Sequence, residues 1–293
     1  MSAKYPIISV TGSSGAGTST VKHTFEQIFR RENIKAAFIE GDAFHLHDRA
    51  SMKKAVAEEE ARGNFHLSHF GPDANLLKEL ENTFSSYGKT GTGKTRHYVH
   101  DEAEAQKYGA PAGTFTDWKD LPEGADILFY EGLHGAVILK DRGIDIASHA
   151  DLKIGVVPVI NLEWIQKMHR DAKVRGYSPE DVTKTILRRM PDYVHYITPQ
   201  FSETDINFQR VPTVDTSNPF VARWIPTPDE SLVVIRFKDP RGIDFAYLKT
   251  MIQDSFMSRA NSIVIPGGKL DLAMQLILTP MIHRLVDLKR RSS

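Results

Sequence analysis

The sequence contains no cysteine. Disulfide bonds, thiolate metal ligands and thiol redox switches are therefore excluded, and the composition suits a reducing compartment. An excess of one charge is also missing, because 37 Lys and Arg residues balance 37 Asp and Glu residues. A chain with no net charge has no overall field that attracts nucleic acid or an anionic membrane, so any anion binding has to be local.

Long apolar runs are absent as well, so the sequence predicts no signal peptide and no membrane span. The chain passes from Met1 almost directly into the apolar residues 6–10, and we expect a cytoplasmic protein that binds neither membranes nor nucleic acid. With 293 residues and 41% hydrophobic content the chain can bury a large core. We expect one α/β domain over residues 1–293 rather than two small ones.

A further absence lies inside a glycine-rich loop. Residues 12–19 follow the phosphate-binding pattern G-x-x-x-x-G-K-[ST], except that Thr18 replaces the lysine. Apolar residues before the loop predict a buried strand, and those after it repeat with helical spacing. This order places backbone N–H groups and the positive end of a helix dipole at a phosphate group. The predicted nucleotide-binding residues are Gly12, Ser13, Ser14, Gly15, Ala16, Gly17, Thr18, Ser19 and Thr20.

A second segment, residues 88–95, matches the same pattern at every position. It follows the polar residues 82–87 and leads into residues 96–100, which alternate like an exposed hairpin strand. Because no buried strand precedes it and no amphipathic helix follows it, we interpret this match as accidental. The pattern predicts a helix at 75–87 and a hairpin at 88–101.

Two predicted strands end in acidic residues. Residues 36–42 follow a turn at Asn33 and end at Asp42, and the apolar run 126–132 presents Glu131 near its end. Ligands of open parallel sheets bind outside the carboxyl ends of the strands, so both carboxylates should face the glycine loop. We interpret Glu131 as a magnesium ligand of the Walker B type. Asp42 either faces the site or caps the turn that follows it.

The remaining pattern predicts a mixed, largely parallel central sheet flanked by helices, in the α/β class. The apolar segments near the C-terminus extend the same sheet, and each is followed by a helical pattern. The further predicted segments are a helix at 51–62, loops over 102–124, a strand at 152–159, a helix at 161–169, and strands at 232–237 and 262–265.

The threonine in the loop leaves the transferring phosphate without its usual cation. The densest supply of other cations begins in the predicted helix at 161–169 and consists of Lys167, Arg170, Lys173 and Arg175. A polar segment near 170–190 is bracketed by Lys173, Arg175, Arg188 and Arg189, and we interpret it as a lid. The positive charge at the phosphates would then be completed only when the lid closes. The alternative is a set of solvated charges on an exposed helix face.

Residues 167–180 resemble the signature of the phosphoribulokinases: a lysine, an Arg-Asp pair, Arg-Gly, then Ser or Thr, and Glu. The resemblance extends over essentially the whole chain, including residues 130–135, 161–166 and 205–210, and is strongest to the bacterial class, whose loops also lack the lysine. It implies a P-loop kinase fold. It also implies transfer of the γ-phosphate of Mg-ATP to the 1-hydroxyl of ribulose 5-phosphate, giving ribulose 1,5-bisphosphate for carbon fixation.

The same resemblance implies roles for individual residues. Asp42 would be the general base, Lys167 and Arg170 would face the phosphates, and Asp171 would be a second acidic partner of the metal or nucleotide. Magnesium would be bound by Ser19, Glu131 and Asp171. The sugar-phosphate site, which would include the 88–101 hairpin, matches His45, Arg49, Arg96, Tyr98, His100 and Arg175.

Bacterial members of the family are typically activated by NADH and form large homo-oligomers, commonly octamers. The resemblance therefore implies an effector site, for which Arg31, Arg236 and Arg259 are the candidate contacts. Thiol control, which acts through cysteines in the plant class, is ruled out by the composition.

Two other functions stay open at this point. One is a related P-loop kinase for a neutral acceptor, such as a uridine kinase, and the other is a nucleotide-responsive regulatory protein in which Thr18 marks lost catalysis. A zinc site at the histidine pairs 45/47 or 66/69 is disfavoured, because neither cysteines nor an H-E-x-x-H helix accompanies them.

Overall fold

The computed structural model describes residues 4–13, 17–176 and 178–292. The strands are β1 (Ile7–Thr11), β2 (Ala36–Glu40), β3 (Lys94–Thr95), β4 (Lys119–Asp120), β5 (Ile127–Gly132), β6 (Ile138–Leu139), β7 (Ile144–Asp145), β8 (Leu152–Val157), β9 (Ile206–Pro212), β10 (Ser231–Phe237), β11 (Phe256–Arg259) and β12 (Ser262–Pro266). The helices are α1 (Thr18–Arg31), α2 (Arg49–Ala61), α3 (Leu77–Thr90), α4 (Glu102–Tyr108), α5 (Ile160–Arg175), α6 (Pro179–Asp192), α7 (Gln200–Glu203), α8 (Phe245–Met251) and α9 (Leu270–Ser292).

Eight strands form one sheet, in the order β11-β12-β10-β9-β8-β1-β5-β2. The neighbouring strands β9, β8, β1, β5 and β2 pair in parallel. Strands β10, β12 and β11 continue the sheet beyond β9 in antiparallel pairing. The predicted α/β class with a mixed, largely parallel sheet is therefore confirmed. The parallel half brings the carboxyl ends of β1, β2, β5 and β8 to one edge, where a ligand site is expected.

Side chains alternate across the central strands and fill two cores, one on each face of the sheet. Ile8 of β1 packs with Phe25 of α1 on one face. Ile7 packs with Phe84 of α3 and Tyr130 of β5 on the other, where the rings of Phe84 and Tyr130 lie 5.3 Å apart. Both faces of the parallel strands are thus covered, which explains why their sequences are almost continuously apolar. This packing fixes the strand ends that carry the site.

The second segment with the loop pattern does not have the structure of a phosphate-binding loop. Residues 88–90 are the last turn of α3, and Gly91, with a φ of 74°, ends that helix in the left-handed conformation. The following strand β3 pairs with β4, and Tyr98 bridges to Phe115. The hairpin predicted within 88–101 is therefore wrong, because the partner strand comes from later in the chain. The intervening residues, predicted as loops, include helix α4.

The predicted lid segment consists of the end of α5 and most of α6. Met168, Val182 and Ile186 form a small buried cluster between these helices, with Trp164 packed against it. This cluster is separate from the two cores of the sheet. Within the described part of the chain, no helix has both the length and the apolar character needed to cross a membrane.

Candidate active site

The glycine loop leaves β1 and enters α1, as the sequence predicts. Gly12 lies so close to β8 that a Cβ atom there would be 2.9 Å from the carbonyl oxygen of Val156. Gly17 has a φ of 99°, which glycine adopts without strain, and its carbonyl oxygen accepts from the N–H of Thr20 at 3.1 Å. The geometry therefore requires glycine at both positions. Ser14, Gly15, Ala16 and the side chain of Ser19 lie outside the described residues.

Thr18, which stands in place of the lysine, is buried. Its hydroxyl favours the ionised form of the Glu131 carboxylate on β5. Burial raises the pKa of Glu131, and the charge of Asp42 adds to the effect, while Thr18 and Lys22 oppose it. A carboxylate whose ionised form is destabilised by its surroundings is stabilised by a bound divalent cation. Glu131 therefore fits a magnesium ligand.

Asp42 lies just beyond the end of β2, in the 3₁₀ helix Gly41–Phe44. Its Oδ1 is 3.1 Å from Nε2 of His45, and its Oδ2 is 3.6 Å from Nε2 of His100. Partial burial opposes ionisation, but the nearby His45, together with His100 and His69, holds the pKa of Asp42 well below its usual value. The side chain is 40% exposed, so an ionised carboxylate is accessible to an acceptor. No side chain caps this turn, all of whose residues are described, so the capping role is not seen.

Several predicted acceptor residues surround Asp42. Arg49, at the start of α2, donates to the carbonyl oxygen of His100 at 2.7 Å and to the hydroxyl of Tyr98. The Tyr98 ring lies 5.0 Å from the ring of His100 and 6.4 Å from that of His45. These groups form one wall beside the carboxylate. The side chain of Arg175 lies outside the described residues.

Arg96 also lies at this wall, but its guanidinium is bound to backbone carbonyl groups and aromatic rings of the protein itself. It donates to the carbonyl oxygens of Ala43 at 2.8 Å and His45 at 2.7 Å. Its guanidinium is 3.6 Å from the ring centroid of Phe115 and 4.7 Å from that of Trp118. Arg96 therefore fixes the backbone on both sides of Phe44. Its contact with substrate stays a prediction.

Two of the predicted cations of α5, Lys167 and Arg170, meet at Asp171, which is buried. The side chains of Lys173 and Arg175 lie outside the described residues. Nζ of Lys167 donates to Oδ2 of Asp171, and Nε of Arg170 donates to Oδ1 at 3.2 Å. Burial lowers the pKa of Lys167 to about 8, with the charge of Arg189 acting in the same direction and Asp171 opposing both. Lys167 and Arg170 are thus both paired with the carboxylate that the resemblance assigns to the metal or nucleotide.

A contact that sequence reasoning missed joins this helix to the loop. Ser13, at the start of the loop, donates its hydroxyl to the carboxylate of Glu163 in the first turn of α5. Burial raises the pKa of Glu163, although hydrogen bonds from Ser13 and Tyr193 oppose this. The nucleotide loop and the cation-bearing helix are therefore in direct contact. Glu163 lies in the segment 161–166 that carries the family resemblance, but the sequence analysis gave it no role.

His69 and Asn75 were also missed as members of the acceptor wall. The ring of His69 stacks on that of His45 at 4.0 Å between centroids, and Asn75 bonds to His45. No group of three or more His, Asp or Glu side chains arranged to bind a metal occurs among the described residues. Magnesium bound by Glu131 and Asp171 would therefore need further oxygen ligands from the nucleotide and water.

The candidate effector arginines lie in two places. Arg31, at the end of α1, donates to Gln275 at 2.7 Å and to Thr279 at 3.0 Å, both in α9. Arg236 on β10 and Arg259 on β11 are both paired in register with Ser262 of the intervening strand β12. Both of these side chains are exposed.

Comparison with known proteins leads to the same group of enzymes. The model of the Phosphoribulokinase / Uridine kinase family matches residues 7–217. The chain belongs to this family. Within the family, it is 70% identical over the whole length of both chains to a phosphoribulokinase from Nitrobacter vulgaris, and 68% identical to phosphoribulokinase 1 from Cereibacter sphaeroides over 98% of each. The solved structure of a phosphoribulokinase from Rhodobacter spheroides matches with a TM-score of 0.91 and 64% identity, covering 98% of this chain and 99% of that one.

Proposed function

We propose that the chain transfers the γ-phosphate of ATP to the 1-hydroxyl of ribulose 5-phosphate, giving ribulose 1,5-bisphosphate for carbon fixation. The observation that carries this proposal is the ionised, accessible carboxylate of Asp42, held between two histidines at the sheet edge that also carries the glycine loop. Relatives that are 60–70% identical over their full length and bear the name phosphoribulokinase support the choice of substrate.

Asp42 acts as the base in this proposal. The 1-hydroxyl oxygen attacks the γ-phosphorus, its proton passes to the Asp42 carboxylate, and the bond from the γ-phosphorus to the β,γ-bridging oxygen breaks to release ADP. A carboxylate with a lowered pKa suits this role, because the transition state is loose and the proton leaves late. Before the transfer, His100 and Arg49 bind the phosphate and hydroxyls of the sugar, and His45 lies beside them at the same wall.

The positive charge that Thr18 does not supply comes from α5. Lys167 and Arg170 turn from Asp171 to the phosphates when the lid segment 170–190 closes, and Asp171 is then available to the metal or nucleotide. Magnesium, held by Ser19, Glu131 and Asp171, neutralises charge on the phosphate oxygens when bound. Because the cations are paired with Asp171 before closure, hydrolysis of ATP by water is disfavoured until the acceptor is present.

An acceptor screen tests the proposal. Purified protein is incubated with Mg-ATP and ribulose 5-phosphate, uridine or pantothenate, and the products are identified by mass spectrometry. We expect ribulose 1,5-bisphosphate and ADP in equal amounts. Phosphorylation of uridine instead would favour a nucleoside kinase, although the cations and histidines around Asp42 exceed what a neutral acceptor needs. ATP binding without any transfer would favour a regulatory protein.

The proposal includes a regulatory site and an assembly. We assign NADH as the activator and place its anionic groups at Arg236 and Arg259, whose exposed side chains flank one residue of the intervening strand. Arg31 is the third candidate contact. A single domain over residues 1–293, a homo-oligomer of the octameric type and a cytoplasmic location stay predictions.

A further inference from the structure

Asn75 lies beside the histidine that faces Asp42. Residues 44–46 and 74–76 form a short antiparallel bridge, in which the N–H of Leu46 donates to Ala74 at 2.9 Å and that of Leu76 to Phe44 at 2.7 Å. This pairing sets the side chain of Asn75 against the ring of His45, with Oδ1 2.8 Å from Nδ1. The opposite ring nitrogen, Nε2, faces Asp42.

The other partners of Asn75 fix the orientation of its amide. Nδ2 lies 2.9 Å from the carbonyl oxygen of His69 and 2.6 Å from that of Gly71. Carbonyl oxygens only accept hydrogen bonds, so the amide nitrogen has to face them and the amide oxygen has to face His45. The amide oxygen is itself an acceptor. Nδ1 of His45 therefore carries a hydrogen.

This assignment determines what His45 presents to Asp42. A neutral ring with its hydrogen on Nδ1 would set an unprotonated Nε2 only 3.1 Å from a carboxylate oxygen, and two acceptors would lie in contact. The contact is favourable when Nε2 carries a hydrogen as well, so Asn75 and Asp42 together favour the ring with a hydrogen on both nitrogens. The opposite neutral tautomer would bond to Asp42 without a charge, but Asn75 disfavours it.

The other groups around His45 do not favour a hydrogen on its Nε2. His69 stacks on the ring, and Arg96 donates to the His45 carbonyl oxygen, so cationic forms of both oppose a charge on His45. The remaining titratable neighbours that face the ring are Tyr98, at 6.4 Å, and the buried His134. Among the described carboxylates, Asp42 is the one within ion-pair distance of His45. Asn75 and Asp42 thus contact the two nitrogens of the same ring, Nδ1 and Nε2.

We propose that Asn75 is a positioning residue for phosphotransfer. By accepting from Nδ1, it holds His45 in the form whose Nε2–H binds the ionised Asp42, and so keeps a cation beside the base where a phosphorylated sugar has to bind. This inference rests on the proposed function, because it concerns the acceptor side of the same site.

The test compares two substitutions of matched size. Asn75→Leu removes the acceptor for His45 and the donors to His69 and Gly71, whereas Asn75→Asp keeps an oxygen toward His45 and loses only the donors. If Asn75 acts through His45, Asn75→Leu lowers kcat/KM for the sugar phosphate by on the order of tenfold or more, with KM for ATP unchanged. Asn75→Asp then retains more activity than Asn75→Leu. If Asn75 only braces the two carbonyls, Asn75→Asp is at least as impaired, because it sets a carboxylate against them, and this result overturns the inference.

A double-mutant cycle gives a second readout. In a His45→Leu background the further change Asn75→Leu should cost little, because the ring on which Asn75 acts is gone. Full additivity of the two losses would overturn the inference. Thermal unfolding and ADP binding of every variant check that the fold and the nucleotide site are intact.

The wild-type acceptor screen separates this inference from the proposed function. If the wild type phosphorylates an acceptor other than ribulose 5-phosphate, the proposed substrate is wrong, and the same ratio of variants is measured on that acceptor. If ribulose 5-phosphate is the substrate and the Leu and Asp variants are equally impaired, only the inference about Asn75 fails. A wild type that phosphorylates nothing overturns both.

Discussion

Asp42 is an accessible carboxylate between two histidines, and its replacement should separate chemistry from binding. Asp42→Asn keeps the size of the side chain and removes the proton acceptor, so we expect kcat to fall by roughly 10²–10⁴. The affinity for ADP, measured by calorimetry, should be unchanged because the nucleotide loop lies on another strand. The matched control is Asp73→Asn, which removes an exposed carboxylate paired with Arg142 and should leave kcat as in the wild type. Parallel loss of binding and turnover in Asp42→Asn would contradict the assignment of the base.

We expect Lys167 to make the reaction sensitive to alkaline pH. Burial lowers the pKa of Lys167 to about 8, so its charge is present below that pH and is lost as the pH rises through it. We therefore expect kcat/KM for ATP to fall on the alkaline side near pH 8. Lys167→Arg keeps a charge over this range and should move the fall to higher pH, even if the new geometry lowers the maximum rate. A fall that stays at the same pH in the arginine variant would assign this titration to another group.

At the scale of single residues, the sequence predicted which chemical groups lie at the strand ends. An acidic residue after an apolar run was enough to place Asp42 and Glu131 at the sheet edge, and the resemblance supplied His45 and His100. Asn75 was missed, because it reaches His45 through a bridge between two segments that no local pattern connects. The pairing of Lys167 with Asp171 is visible as a spacing of four on a helix, but its burial is set by tertiary packing.

Elements with an alternating or helical apolar pattern were predicted well, and short elements paired over long distances were not. Strands β1, β2, β5, β8, β10 and β12 and the helix after the glycine loop lie where the sequence placed them, since each buries a complete apolar face. Strand β3 has two residues and depends on β4 beyond an intervening helix, so its register is decided by packing of the whole loop. The glycine pattern at 88–95 ends a helix instead of starting one.

The lid prediction concerns α5 and α6, which share a small apolar cluster outside the two main cores. Ile186 is buried in this cluster, whereas Leu187, next to it, is 54% exposed. Ile186→Ala should cost α6 about 2–4 kcal/mol of local stability, and Leu187→Ala should cost little. Hydrogen exchange followed by mass spectrometry should show faster exchange over residues 179–192 in Ile186→Ala, and kcat should fall because the lid closes less readily. If exchange rises equally in β1 and α9, then α6 opens only with the whole molecule, and a separate lid is contradicted.

At the scale of the whole molecule, the positive and negative charges balance, so charged ligands have to be bound by local clusters of charge. Arg236 and Arg259 form such a cluster on the antiparallel half of the sheet, which carries none of the strand ends that build the active site. Two strand spacings separate their backbones by roughly 10 Å. Two exposed cations at this separation repel each other, and a bound anion removes the repulsion. An anionic activator bound here would act on the reaction through the sheet.

We therefore expect the double variant Arg236→Gln/Arg259→Gln to lose activation by NADH. The measured quantity is the ratio of initial rates with and without NADH at subsaturating ATP, because a ratio is independent of the absolute activity of each preparation. The control is Arg241→Gln, which removes an exposed cation that pairs with Asp239 in the loop after β10 and should leave the ratio as in the wild type. Arg31→Gln separates the third candidate: its side chain is bound to α9, so retained activation in this variant would limit its role to the contact between α1 and α9. A double variant that is still activated fully would place the effector elsewhere on the molecule.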